Sequence, residues 1–239
     1  MIDLILILIF AGVTWAVAGE GPWGAVMVFF SVLLAGLLAM NIFEPVAEML
    51  QTVLPGYEWQ HRVDIIALLG VFSVSAWGLR EVTDRIMPTS LDVSGLVYEA
   101  RWLFGAATGY MVMAILLTAL HTAPLSREFI GFRPERSNLF DALAPDREWL
   151  GFTQYVSEHV MRSGANGPIF DGATFNRITE DPGTLQIWSS FPIRYAQRRE
   201  QYASSTGNSA APPPGSEPPN AGPPVSAPAP AAGGGASGF

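Results

Sequence analysis

Arg101-Trp-Leu-Phe-Gly-Ala-Ala-Thr-Gly-Tyr-Met-Val-Met-Ala-Ile-Leu-Leu-Thr-Ala-Leu120 is the stretch whose reading decides the fold. After Arg101, the nineteen residues from Trp102 to Leu120 hold no charge. As an α-helix they extend about 28 Å, close to the hydrocarbon thickness of a bilayer. Gly105 and Gly109 lie four apart on one face. Glycine gains nothing against lipid, whereas against a second helix it permits close backbone approach. The stretch therefore reads as a membrane helix with a packing face, and it implies apolar partners elsewhere in the chain.

Composition agrees. Hydrophobic residues make up 49% of the 239, charged residues only 14%, and the mean hydropathy is +0.29. Soluble domains usually carry about 25% charged residues. The long apolar runs fall in residues 1–120, and the last 37 residues are low in complexity. The expected parts are a membrane domain over 1–121, a small polar appendage over 122–202 and a disordered Pro/Ala/Gly-rich tail over 203–239. The chain has no cysteine, which excludes disulfides and thiolate metal sites. All 13 basic residues are arginine, so Schiff-base and P-loop lysine chemistry is excluded too. A net charge of −8 with no basic stripe excludes nucleic acid as a partner.

Four spans are expected, at about 2–18, 23–43, 64–80 and 102–120, giving an all-α membrane protein with both termini on one side. Ala16-Val17-Ala18 resembles a signal-peptide cleavage site, but Asp3 stands where a positive n-region would be, so the first span is read as retained. Gly19 to Gly24 form the first turn. In the second span Ser31, Ala35 and Ala39 recur every four residues as a second small-residue stripe. Beyond it, Val46, Met49, Leu50 and Val53 alternate with Glu44, Glu48 and Gln51, the pattern of a separate interfacial amphipathic helix. In the third segment the apolar periodicity runs on through Val82 and Ile86 past the lipid. An amphipathic helix is expected at about 146–161, with an apolar stripe of Trp149, Phe152, Val156 and Val160 able to dock on a membrane surface or another helix.

An Asp-bearing start (Met1 to Asp3), a Gly turn (Gly19 to Gly24), an amphipathic connection, a span ending in mixed charges (Arg80 to Arg85), and Arg101 ahead of Gly105-Ala-Ala-Thr-Gly109 form a recognisable order. Over roughly residues 1–121 this resembles the colicin V production protein (CvpA-like) family of bacterial inner-membrane proteins. The resemblance implies a bacterial inner (cytoplasmic) membrane protein needed for toxin production or export, or for envelope maintenance, and implies no reaction. The chain departs from the family pattern at the first turn, where Glu20 replaces the usual arginine. It departs again after the second glycine, where Tyr110 and Met111 replace a basic residue. Some relatives add a serine protease, but here the one protease-like triplet, Gly207-Asn208-Ser209, lies in the tail.

No catalytic, cofactor-binding or metal-ligating set is expected: His61, His121 and His159 sit in separate segments without i, i+4 spacing. The residues singled out are Gly105, Gly109, Ala35 and Ala39 for helix packing, and Asp3, Asp64, Arg80 and Arg101 as membrane-edge charges. A charge at the bilayer centre costs about 2.5–3.5 kcal/mol, so these four either snorkel to headgroups or line a polar path. Partners are then the lipid bilayer and either further copies of the chain or other membrane proteins. Three functions follow: a non-enzymatic export or envelope protein, an oligomeric small-solute or ion channel, and a scaffold presenting residues 124–202. Arginines near the span ends divide four to three between the two sides (Arg62, Arg127, Arg133 and Arg136 against Arg80, Arg85 and Arg101), too even to set an orientation.

Overall fold

A computed structural model describes residues 2–54, 59, 62–86, 95–125, 129–132, 137–161, 170, 191–192, 194–196 and 199. Five helices make up this part: α1 (Ile2–Ala18), α2 (Gly21–Val53), α3 (Val63–Ile86), α4 (Leu96–Thr122) and α5 (Pro145–His159). Among the described residues there is no named strand, only the bridges Phe129–Phe132 and Leu139–Leu143. Helices α2, α3 and α4 are long and apolar enough to cross a membrane, which makes the chain a multi-pass membrane protein. The first of the four expected spans, α1, is equally apolar but has 17 residues. The expected tail, the Gly207-Asn208-Ser209 triplet, His61 and most of the 162–202 segment lie outside the described residues.

Helices α1 and α2 are joined by two residues. The reversal depends on Gly21, whose φ of +82° lies in the left-handed region that glycine enters freely. Helices α1 and α4 pack antiparallel along the glycine face. A Cβ built on Gly105 would lie 2.7 Å from the Thr14 carbonyl oxygen, and one on Gly109 would lie 2.7 Å from the Phe10 carbonyl oxygen. Toward the other end of the pair, Ile2 and Leu6 join Met113 and Leu117 in one cluster that closes over Phe132. Helix α2 pairs with α3: Glu20 meets Arg80 at one end, and Phe43 shares a core with Val63 and Ala67 at the other. Parallel to α4, α2 touches it through Phe29 on Phe104 (ring centroids 5.7 Å apart) and through Gly36 beside Ile115. The four helices thus alternate in direction. Ile2, Phe43, Val63 and His121 mark one end of the bundle; Ala18, Glu20, Arg80 and Arg101 mark the other.

The interfacial helix expected after the second span is not a separate element. Helix α2 continues through Pro45 to Val53, 33 residues in all. Proline in a helix interior removes one backbone hydrogen bond and costs about 3 kcal/mol. Here the flanking turns are held by burial: Phe43 and Ala47, on either side of Pro45, sit in the core formed with the first turns of α3. Asn41, whose carbonyl would be the proline's partner, turns its side-chain amide back to donate to the Leu37 carbonyl at 2.7 Å. The 33 residues extend about 50 Å, well beyond the hydrocarbon layer. Ala35 and Ala39 are fully buried in this helix. The third helix continues to Ile86.

Candidate functional site: the buried polar contact between α4 and α5

Charged residues inside a membrane protein are costly, so where they occur with partners they mark the places to look for function. Helix α5 begins with Pro145-Asp146-Arg147-Glu148, proline at its first position and acids in its first turn, a favourable order at a helix N-terminus. Helix α4 ends at His121-Thr122, a histidine favourably placed at a helix C-terminus. The two termini meet. His121 Nε2 donates to Asp146 Oδ2 at 2.8 Å, and both side chains are 0% exposed. The Phe132 ring closes the pair edge-on, 5.1 Å from the imidazole centroid. Among the described residues His121 Nδ1 and Asp146 Oδ1 have no hydrogen-bond partner.

A second contact lies deeper along α4. The Tyr110 hydroxyl donates to Glu148 Oε2 at 2.5 Å. Between the two contacts the Trp149 ring enters the bundle. A Cβ on Gly36 would lie 2.7 Å from Trp149 Cζ2 and 2.8 Å from Ile115 Cδ1, so only glycine at position 36 leaves room for the indole. Beside Leu150, the rest of the buried face of α5 is polar: Thr153 donates to the Trp149 carbonyl at 3.0 Å, and Ser157 donates to the Gln154 carbonyl at 2.9 Å. Ser157 Oγ also accepts from the Phe170 N–H at 3.0 Å.

The membrane-edge charges are distributed over both ends rather than gathered. Asp3 Oδ1 accepts from the Phe140 N–H at 2.8 Å, tying α1 to the loop that precedes α5. Asp64 is buried in the first turn of α3, where the helix dipole favours an acid. Arg80 forms an ion pair with Glu20 and another with Asp84 at 3.1 Å. Arg101 donates to the Tyr98 hydroxyl at 2.7 Å and lies over the Tyr98 ring, 4.1 Å from its centroid. Pairs as open as Arg80–Glu20 contribute at most about 1 kcal/mol. Arg80→Ala is therefore expected to leave thermal stability in detergent almost unchanged, read by the loss of the monodisperse elution peak on heating.

His121 was not among the residues singled out by sequence. Its partner is 25 positions away and joins it only through tertiary packing; the local signals were a histidine just past an apolar run and an acid just inside a helix start. Among the described residues no cluster of three or more His, Cys, Asp or Glu could hold a metal ion. Chemically, the His–Asp pair can hold a proton in a fixed place.

Fold and site together define a multi-pass helical membrane protein whose short helix α5 meets the bundle through one buried ionisable pair, His121–Asp146, and one exposed contact, Tyr110–Glu148. The chain matches no known family profile, no curated protein and no solved structure.

Proposed function

We propose that this chain is a non-catalytic bacterial inner-membrane protein of the colicin V production type, supporting toxin or solute export or envelope homeostasis through protein partners. In this reading α1 is the fourth crossing, since it runs beside α4 from Gly105 to Leu117, about 18 Å of shared length. The observation that supports a structural role is the fate of the buried hydroxyls in the bundle. Ser31, Thr108 and Thr118 each donate to a carbonyl four residues back in their own helix, which uses their hydrogens locally, and the buried Thr14 hydroxyl of α1 bonds to none of them. The edge charges Arg80 and Arg101 are engaged near one end and Asp3 near the other.

Two measurements test the reading together. The full chain in proteoliposomes is expected to pass neither potassium nor protons above empty vesicles, and steady flux would instead establish the oligomeric channel. Deleting the chain from its host is expected to lower export or weaken the envelope, with recovery on re-expression; an unaltered host would refute the role.

A further inference from the structure

Helix α5 buries a largely polar face: Asp146, Thr153, Gln154 and Ser157 beside Trp149 and Leu150. Its outer face shows Phe152 (39% exposed) and Tyr155 (58%) between the exposed Glu148 and His159, and Val160 just past its end is 71% exposed. The expected stripe of Trp149, Phe152, Val156 and Val160 is therefore not the buried face; only Trp149 belongs to both. An amphipathic helix packed on a bundle in water would present the opposite side.

Depth supplies the reason. Gly36 lies three residues from the centre of the uncharged run 23–43, and Ile115 lies four from the centre of the run 102–120. Three to four helical residues correspond to about 5–6 Å, well inside the roughly 15 Å half-thickness of the hydrocarbon layer. The Trp149 indole crowds Gly36 and shares a core cluster with Ile115, so its ring reaches mid-span side chains while Asp146, three residues earlier, stays with His121 at the bundle end. Asp146, fully buried in the first turn of α5, has His121 as its partner, as a charge in a low-dielectric zone requires, and the exposed Glu148 bonds to Tyr110. Tyr155 and His159, stacked with centroids 4.6 Å apart, stand at the far end, suited to the headgroup layer.

We propose that α5 is seated in the bilayer, with the face of Phe152, Tyr155 and Val160 against lipid, rather than belonging to a water-exposed appendage. The inference rests on the membrane assignment of α2 and α4 and not on the export role, so either can fail alone. The absence of native cysteine makes the test direct. Single nitroxide labels are placed at Phe152→Cys and Gly151→Cys in the full chain in liposomes. Gly151 has open space where a Cβ would go, so its variant keeps the test intact if Phe152→Cys misfolds. Leu103→Cys in α4 serves as the lipid reference and Gln51→Cys, beyond the span, as the water reference. The expected result is collision with oxygen exceeding collision with a water-soluble nickel complex several-fold, as at Leu103→Cys. A ratio like that of Gln51→Cys would overturn the proposal. So would an immobilised label inaccessible to both, which would mean that a second copy or the 162–202 segment covers this face.

Discussion

The full chain with Gly105→Leu and Gly109→Leu is expected to lose the α1–α4 pairing, and with it most of its thermal stability in detergent. At both positions the first atom to be added would meet backbone, the Thr14 and Phe10 carbonyls at 2.7 Å, and not a flexible side chain that could step aside. A carbonyl cannot move without moving its helix. Overpacking a well-filled interface costs about 1–3 kcal/mol per site, and a clash with backbone belongs at the upper end. The gap cannot be reopened locally, because Ile2 and Leu6 are held on Met113 and Leu117 farther along the same pair. Gly12 provides the control: it lies in α1 but meets nothing within 4 Å. Gly12→Ala should be neutral or slightly stabilising, since alanine is the better helix former by about 1 kcal/mol. Equal melting of the double variant and the parent would refute the packing role. Loss of stability without change in oligomer size would show that the glycines serve contacts within the chain rather than between copies.

The helices of the bundle were legible because lipid imposes one simple rule, an uncharged run of about twenty residues; the runs at 23–43 and 102–120 obey it, while 65–79 has only fifteen and α3 reaches spanning length by continuing to Ile86. The Gly105/Gly109 face was legible as a face; its partner was not, since spacing within α4 says nothing of Thr14 or Phe10. The amphipathic pattern after Phe43 predicts an interfacial helix but not its continuity with the second span; burial of Phe43 and Ala47 against α3 offsets the hydrogen bond lost at Pro45, and the helix continues. In α5, apolar periodicity marks a stripe able to dock on a membrane surface or another helix, and it does not tell which; in the fold only Trp149 of that stripe is buried, with Thr153, Gln154 and Ser157 inside and Phe152 outside. His121–Asp146 was invisible for a further reason: neither residue has a local partner, and only the meeting of two helix ends produces the pair.

That pair gives the second large expected effect. Asp146→Ala leaves His121 buried without its acceptor, and His121→Ala leaves a buried carboxyl without its donor. Removing one partner of a fully buried pair costs about 3–5 kcal/mol, whereas replacing both by apolar residues of similar size is often close to neutral. Each single variant should therefore unfold well before the parent, while His121→Leu with Asp146→Leu should recover much of the loss. Asp146→Asn retains an oxygen to accept from Nε2 and should fall between. The cycle is read as thermal unfolding in detergent, with a label at Gly151→Cys reporting whether α5 leaves the bundle. Release of α5 in the singles and its return in the double would mean that the pair serves to fasten the helix. If instead the double variant is as unstable as the singles, the shape of the pocket under Phe132 matters more than the hydrogen bond within it. A host defect that persists in a stable double variant would point elsewhere: to the proton that only a His–Asp pair can hold, and so to a role for this site beyond fastening.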